Sequence, residues 1–370
     1  MEDEPLTTSD ESAPTPVFVS VRPHVRGSGG DPSKVVEPMV MPERGPLIDR
    51  YGRIHNDLRI SVTDRCNLRC VYCMPEVGMK FQPREALLSF EEMARVARVA
   101  RELGVTAIRL TGGEPLVRKG LATLVGLLAE LGFDDLALTT NAMLLAPLVP
   151  SLVDAGLKRV NVSCDSLRPE RFNSIRRRGD LATVLEAMDV AEAAGLTPLK
   201  VNVVILRGQN DDEILDFAAF ARDTGRVVRF IEFMPLDAQG QWDNSQLVSG
   251  KEIFEQISQR WPLDAVETHD SAPAERFVFA DGQGEIGLIS SVTQPFCGTC
   301  NRLRLTADGA VRNCLFSDDE HSLRDLMRDG ADDDVIALAL RRAVWEKYPG
   351  HAINEPGFLS PTRSMSMIGG

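Results

Sequence analysis

The sequence predicts an α/β fold, a TIM-like partial (β/α)6 barrel with a C-terminal covering region, and three observations carry that reading. Between about residues 58 and 235, short β-rich runs alternate six times with amphipathic helical stretches. Such alternation builds a parallel sheet through right-handed crossovers, and six units are too few to close an eight-stranded barrel. Residues suited to chemistry also fall where the strands should end. Cysteines follow the first strand, Thr-Gly-Gly-Glu-Pro (111–115) the second, Thr-Thr-Asn (139–141) the third, Ser-Cys-Asp (163–165) the fourth and Met234 the sixth. Barrels gather function at that edge.

Taken in order, residues 1–46 carry 8 of the 22 prolines and a Gly/Ser-rich stretch at 27–33. With no hydrophobic period they are expected to be a disordered or loosely docked extension to the barrel region at 47–235. Residues 58–62 read as the first strand. Ser89 with Glu92 three residues later is a capping box; Met93, Val96, Ala97, Ala100 and Leu103 form the apolar stripe behind it, and Gly104 closes the helix. Strands are expected at 105–110, 135–140, 158–164, 199–205 and 227–234, with helices at 120–132, 146–156, 182–195 and 211–224 between them. Beyond Pro235 the pattern changes. A helix at about 250–260 precedes β-rich runs at 276–280, 284–292 and 301–316, the last with an Asp308-Gly309 hairpin signal. Helical segments at 320–329 and 332–347 lead to the tail Ser-Met-Ser-Met-Ile-Gly-Gly. Residues 236–370 are expected to pack across the mouth of the barrel.

Composition narrows the function. The chain is 43% hydrophobic and 26% charged, with no apolar run near the roughly 18 residues of a membrane span. A net charge of −13 argues against a nucleic-acid or membrane-surface binder, which needs a basic footprint. The acidic start is neither a secretory signal nor an organelle transit peptide, so a cytoplasmic location is expected. Seven cysteines, an odd number at motif spacing, point to metal ligation rather than disulfides.

Cys66, Cys70 and Cys73 fall within eight residues, spaced C-x3-C-x2-C. A zinc knuckle and an iron–sulfur cluster both use such ligands. Zinc sites usually come as paired C-x2-C units, however, and no histidine lies near this trio. Three cysteines for a four-iron cubane leave one iron open to a small molecule. This spacing, with Tyr72 between the last two cysteines, resembles the signature of radical S-adenosylmethionine enzymes. The resemblance implies a [4Fe-4S] cluster whose open iron chelates S-adenosylmethionine and cleaves it to a 5′-deoxyadenosyl radical. It also implies that Gly113 of Gly-Gly-Glu-Pro, together with Tyr72, Ser163 and Met234, contacts that cofactor. Cys164 matches no ligand position and reads as core.

Cys297, Cys300 and Cys314 form a second trio, C-x2-C-x13-C. Alone, it could be a zinc ribbon or a cluster completed by His321. Beside the first motif it resembles the MoaA-type GTP 3′,8-cyclases of molybdenum cofactor biosynthesis, as do Phe230–Pro235, Ser291–Leu305 and the terminal Met-Ile-Gly-Gly, over nearly all of the chain after residue 50. The resemblance implies a second [4Fe-4S] cluster that holds guanine. It further implies GTP contacts from Arg59, Arg109, Thr140, Lys200, Arg302 and Arg304, and catalytic support from Gly369 and Gly370. Arg302 and Arg304, two apart on a strand, project to one face, and planar guanidinium suits phosphate. Lys200 and Arg229 lie in apolar strands, where an unpaired charge is costly; Arg229 could serve an anion or pair with Glu232. Ala107 stands where the family often has a basic residue. The expected product is 3′,8-cyclo-7,8-dihydro-GTP, with an electron donor upstream and cyclic pyranopterin monophosphate synthase downstream, acting as monomer or homodimer. A peptide maturase with an auxiliary cluster and a non-enzymatic metal scaffold are the competing readings.

Overall fold

The structure, a computed structural model, describes residues 40–240, 242–267 and 271–369. Most of the expected 1–46 extension lies outside these residues. Six parallel strands form the centre: β1 (Asp57–Ser61), β2 (Ala107–Thr111), β3 (Asp135–Thr140), β4 (Arg159–Ser163), β5 (Lys200–Ile205) and β6 (Val227–Glu232). Neighbours in sequence are neighbours in the sheet. The connecting helices are α1 (Phe90–Glu102), α2 (Leu121–Ala129), α3 (Val149–Asp154), α4 (Pro169–Arg176), α5 (Leu181–Ala193) and α6 (Ile214–Thr224). The capping box on α1 forms as the sequence predicts: the Ser89 hydroxyl accepts from the Glu92 amide while the Glu92 carboxylate accepts from Ser89. Helix α4 was not foreseen, because only Phe172, Ile175 and Arg176 of its eight residues turn inward and the helical period is weak.

The C-terminal half contributes α7 (Gly250–Arg260), β7 (Leu263–Val266), β8 (Glu275–Phe279), β9 (Glu285–Ile289), β10 (Arg302–Leu305), β11 (Ala310–Arg312), β12 (His321–Ser322), α8 (Leu323–Arg328), α9 (Asp333–Trp345) and α10 (Met365–Ile368). It does more than cover the mouth. Strand β9 pairs parallel with β6, and β10 pairs parallel with β1, so the sheet grows at both edges into the order β12-β11-β10-β1-β2-β3-β4-β5-β6-β9-β8-β7. Six strands alone would leave β1 and β6 with unpaired backbone groups; the two added hairpins satisfy them. The segment expected to be helical from 320 begins as strand β12, since Ser322 caps α8 by accepting from the Asp325 amide.

Period-two alternation divides the sheet chemically. One face presents Leu58 and Ile60, Ile108 and Leu110, Leu136 and Leu138, Val160 and Val162, Val201 and Val203, Val228 and Phe230, all within the core beneath the helices. The other presents Arg59, Arg109, Thr139, Ser163, Asn202 and Arg229, which line a cavity. An ordinary eight-stranded barrel fills this space with branched apolar layers; here it is left polar. Replacing Ser89 with alanine removes the α1 cap and should cost about 1 kcal/mol, read as a lower urea midpoint with an unchanged slope.

Candidate active site

The cavity, about 290 Å³, runs between the two cysteine trios and is lined by all six of these cysteines. Parallel pairing sets Arg304, Arg59 and Arg109 side by side on β10, β1 and β2, about 5 Å from strand to strand. Arg229 and Arg302 complete the group of arginines at the wall formed by the strands. Arg302 also lies over the Phe296 ring at 4.8 Å. The Nε atoms of Arg59, Arg109 and Arg229 and Nη1 of Arg302 are buried without a hydrogen-bond partner among the described residues. Burial, then the charges of Arg304 and Arg109, push Arg59 well below the usual guanidinium range, and burial and Arg302 bring Arg304 to about 10. Guanidinium gives up its proton with great difficulty, so the penalty stands as a cost to the empty fold. Asp57 opposes these charges: despite its burial, they hold its carboxyl below the usual range.

The first trio sits on the loop after β1. Amides of Arg69 and Val71 donate to the carbonyls of Arg176 (3.2 Å) and Ile175 (3.0 Å) at the end of α4, and Cys73 N donates to Cys70 O at 3.0 Å. Burial raises all three thiols, Cys66 to about 12, and each negative charge would disfavour its neighbours. Arg176, 2% exposed, faces the trio and ion-pairs with Asp165 at 2.8 Å, and Tyr72 donates its hydroxyl to the same carboxylate at 2.8 Å. The glycine pair after β2 has a further use. A Cβ on Gly112 would lie 2.4 Å from the Thr63 carbonyl oxygen, and one on Gly113 2.4 Å from that of Arg65. These glycines let the turn press against the backbone entering the cysteine loop, where Gly113 and Glu114 donate amides at 2.8 Å. Burial lifts Glu114 to about 7 against bonds from Asn141, Leu116 and Thr140.

The second trio is assembled by the β10–β11 hairpin and its approach. Cys297 and Cys300 share a tight turn before β10, and Cys314 follows β11. Arg53 ties this region together: it pairs with Asp49 at 2.5 Å and donates to the carbonyls of Cys297 (2.7 Å), Tyr348 (2.6 Å) and Pro349 (2.9 Å). Burial raises Cys297. It also raises Cys300, but Lys347 and Arg302 outweigh it and bring that thiol to about 6. Among the described residues, no three His, Cys, Asp or Glu side chains converge tightly enough to hold a single metal ion.

Most sequence-predicted residues meet here. Arg59, Tyr72, Arg109, Gly113, Thr140, Ser163, Met234, Arg302 and Arg304 line the cavity with the cysteines. Thr140 is already engaged, its hydroxyl donating to Glu114 at 2.7 Å. Lys200 is not part of the lining: it stands at the far end of β5, where burial and the charges of Arg229, Arg159 and Arg109 bring it to about 8. Gly369 is close by, with φ +80° and its carbonyl held by Arg304 Nη1 at 2.5 Å; a Cβ there would meet Thr111 and Ser61 at 2.9 and 3.0 Å. Gly370 lies outside the described residues. Arg229 faces the cavity, while Glu232 faces away and accepts from the Gly250, Val292 and Thr293 amides, so the two do not pair. His321 Nε2 lies 3.1 Å from the Glu346 carboxylate and is absent from the cavity lining; His351 lines the wall instead. Sequence reasoning missed Arg53, Arg176, Asn202, Asn313, Lys347 and His351. Only Asn202, two residues past Lys200 on the same strand face, carried a signal.

Known proteins resemble this chain over most of its length. The Radical SAM superfamily model matches residues 60–221, and the Molybdenum Cofactor Synthesis C model matches residues 226–353. A GTP 3′,8-cyclase of Corynebacterium glutamicum is 46% identical over 336 residues, covering 88% of this chain and 89% of that one. One of Rhodopirellula baltica is 44% identical over 360 residues, covering 95% and 98%. The crystal structure of Streptococcus suis SuiB bound to S-adenosylmethionine matches with TM-score 0.55 at 13% identity. It covers 77% of this chain and 66% of that one, a likeness of fold. Because the arginine group burdens the ligand-free protein, Arg229→Met should stabilise that form by about 1 to 3 kcal/mol, seen as a higher unfolding temperature without nucleotide.

Proposed function

This chain belongs to the GTP 3′,8-cyclase family of radical S-adenosylmethionine enzymes, and from that premise we propose how its residues divide the work of converting GTP to 3′,8-cyclo-7,8-dihydro-GTP in molybdenum cofactor biosynthesis. The observation that carries the reading is one cavity lined by both cysteine trios and by arginines several of whose buried nitrogens have no partner among the described residues.

Family membership implies an iron–sulfur cluster and S-adenosylmethionine, and the first trio fits them. Its cysteines are grouped, Cys70 buried and Cys66 and Cys73 half-buried, and faced by the Arg176 cation, so thiolates there are stable only with metal and a neighbouring positive charge. A cluster that gives each thiolate its own iron also suits side chains that do not converge on one point. When bound, this pair supplies the one-electron chemistry that activates ribose C3′ and joins it to guanine C8. Cys66, Cys70 and Cys73 hold the cluster. Tyr72, Gly113, Ser163 and Met234, all in the cavity lining, orient S-adenosylmethionine.

Cys297, Cys300 and Cys314 hold a second [4Fe-4S] cluster, and guanine sits against it. The Lys347 ammonium 3.2 Å from Cys300 Sγ supports metal ligation, since a buried cation asks for a thiolate opposite it. Arg59, Arg109, Arg302, Arg304 and Arg229 receive the triphosphate, whose charge satisfies the nitrogens of Arg59, Arg109, Arg229 and Arg302 that have no partner among the described residues. Lys200, beyond the lining, adds longer-range attraction. Gly369 and Gly370 support catalysis, and exclusion of water from the cavity protects reactive species. We further assign 47–235 to the barrel and 236–370 to the second-cluster region. A cytoplasmic location, an upstream electron donor and a downstream cyclic pyranopterin monophosphate synthase complete the proposal.

The test is anaerobic. Reconstituted protein with S-adenosylmethionine, dithionite and GTP should yield 5′-deoxyadenosine and the cyclised nucleotide by mass spectrometry, and ATP should not replace GTP. Formation of 5′-deoxyadenosine with GTP untouched would overturn the substrate assignment. Cys66→Ala should abolish S-adenosylmethionine cleavage. Cys314→Ala should retain some cleavage but make no cyclised product; normal product from it would remove Cys314 from the site.

A further inference from the structure

Lys347 lies two residues past the end of α9 and is 3% exposed. Among the described residues its Nζ donates to Cys300 Sγ at 3.2 Å and to the Arg302 carbonyl at 3.0 Å. A buried ammonium costs several kcal/mol unless a counter-charge faces it, and a carbonyl dipole is a weak substitute. The nearest charged neighbours increase the demand. Arg53 is also positive and is committed to Asp49 and to three carbonyls, while Arg302 directs its guanidinium over Phe296. The side-chain acceptor that its Nζ reaches is Cys300 Sγ, which carries negative charge when it ligates metal.

A neutral donor could bridge to the Arg302 carbonyl equally well, so the lysine's charge needs its own explanation. Iron–sulfur potentials respond to net charge and to hydrogen bonds at the ligating sulfurs. A fixed cation that donates to one of those sulfurs favours the reduced state, which carries more negative charge. We infer that Lys347 is a positioning residue whose ammonium is the permanent counter-charge of the Cys300 thiolate and raises the reduction potential of the cluster that this thiolate ligates. The inference rests on the two-cluster reading above. It concerns the second cluster alone, since Lys347 makes no hydrogen bond to the first trio.

The experiment is a redox titration of the holoenzyme followed by electron paramagnetic resonance, for wild type, Lys347→Gln and Lys347→Arg, after iron and sulfide are counted. Glutamine keeps a donor for the Arg302 carbonyl and drops the charge. In Lys347→Gln the reduced-to-oxidised ratio of the second cluster at a set potential should fall about tenfold or more, a shift of about 59 mV for a one-electron couple. The first cluster should titrate as in wild type, and Lys347→Arg should restore most of the shift. Unchanged potentials in Lys347→Gln with both clusters present would overturn the inference. So would equal shifts in both clusters, or loss of the second cluster alone, which would make Lys347 an assembly residue. If wild type itself holds iron and sulfide for one cluster only, the two-cluster reading fails first, and the count distinguishes that failure from the others.

Discussion

The arrangement depends on a cost: buried guanidinium groups held side by side on one sheet face. Arg304, Arg59 and Arg109 are register neighbours, and Arg229 approaches from β6. Each is desolvated, each repels the next, and several nitrogens find no acceptor among the described residues. Such a cluster persists only if the surrounding fold is stable enough to carry it, or if an anion arrives to compensate it. The apolar opposite face of the same strands supplies the first condition. The proposed triphosphate would supply the second, which would put stability and function on opposite faces of the same strands.

The C-terminal half connects that polar face to chemistry. By pairing β10 with β1 it places Arg302 and Arg304 in the cation row, and the hairpin that follows positions Cys314 opposite Cys297 and Cys300. By pairing β9 with β6 it seals the other edge. The chain end then returns to the cavity: Met365 N donates to Leu236 O at 3.0 Å, and Arg304 takes the Gly369 carbonyl. Arg304 therefore lines the cavity and holds the Gly369 carbonyl at once, joining the tail to the cation row.

Much of this was legible before any coordinates. The period-two strands, the Ser89 cap and the cysteine spacings are local, and local patterns survive folding. What escaped reading is long-range. Nothing in 301–305 says that it pairs parallel with 57–60, because parallel partners need share no turn. Arg53 and Lys347 serve the second trio from about 244 and 47 residues away in sequence, and each looks like an ordinary surface cation in its own segment. Arg229 beside Glu232 suggested an ion pair, yet three residues apart on a strand is opposite faces. The resemblance implies a cofactor contact for Gly113; the structure shows that Gly112 and Gly113 also admit the backbone of Thr63 and Arg65.

The central claim is that the cation row is built for a triphosphate, and ligand-dependent unfolding tests it most directly. Anaerobic, cluster-loaded protein would be melted with equal concentrations of GTP and of guanosine, at low and at high salt. A ligand that binds the native state alone raises the unfolding temperature by mass action. The account predicts a clear rise with GTP, little with guanosine, and a smaller GTP effect as salt screens charge. Equal stabilisation by the two ligands, unaffected by salt, would contradict it.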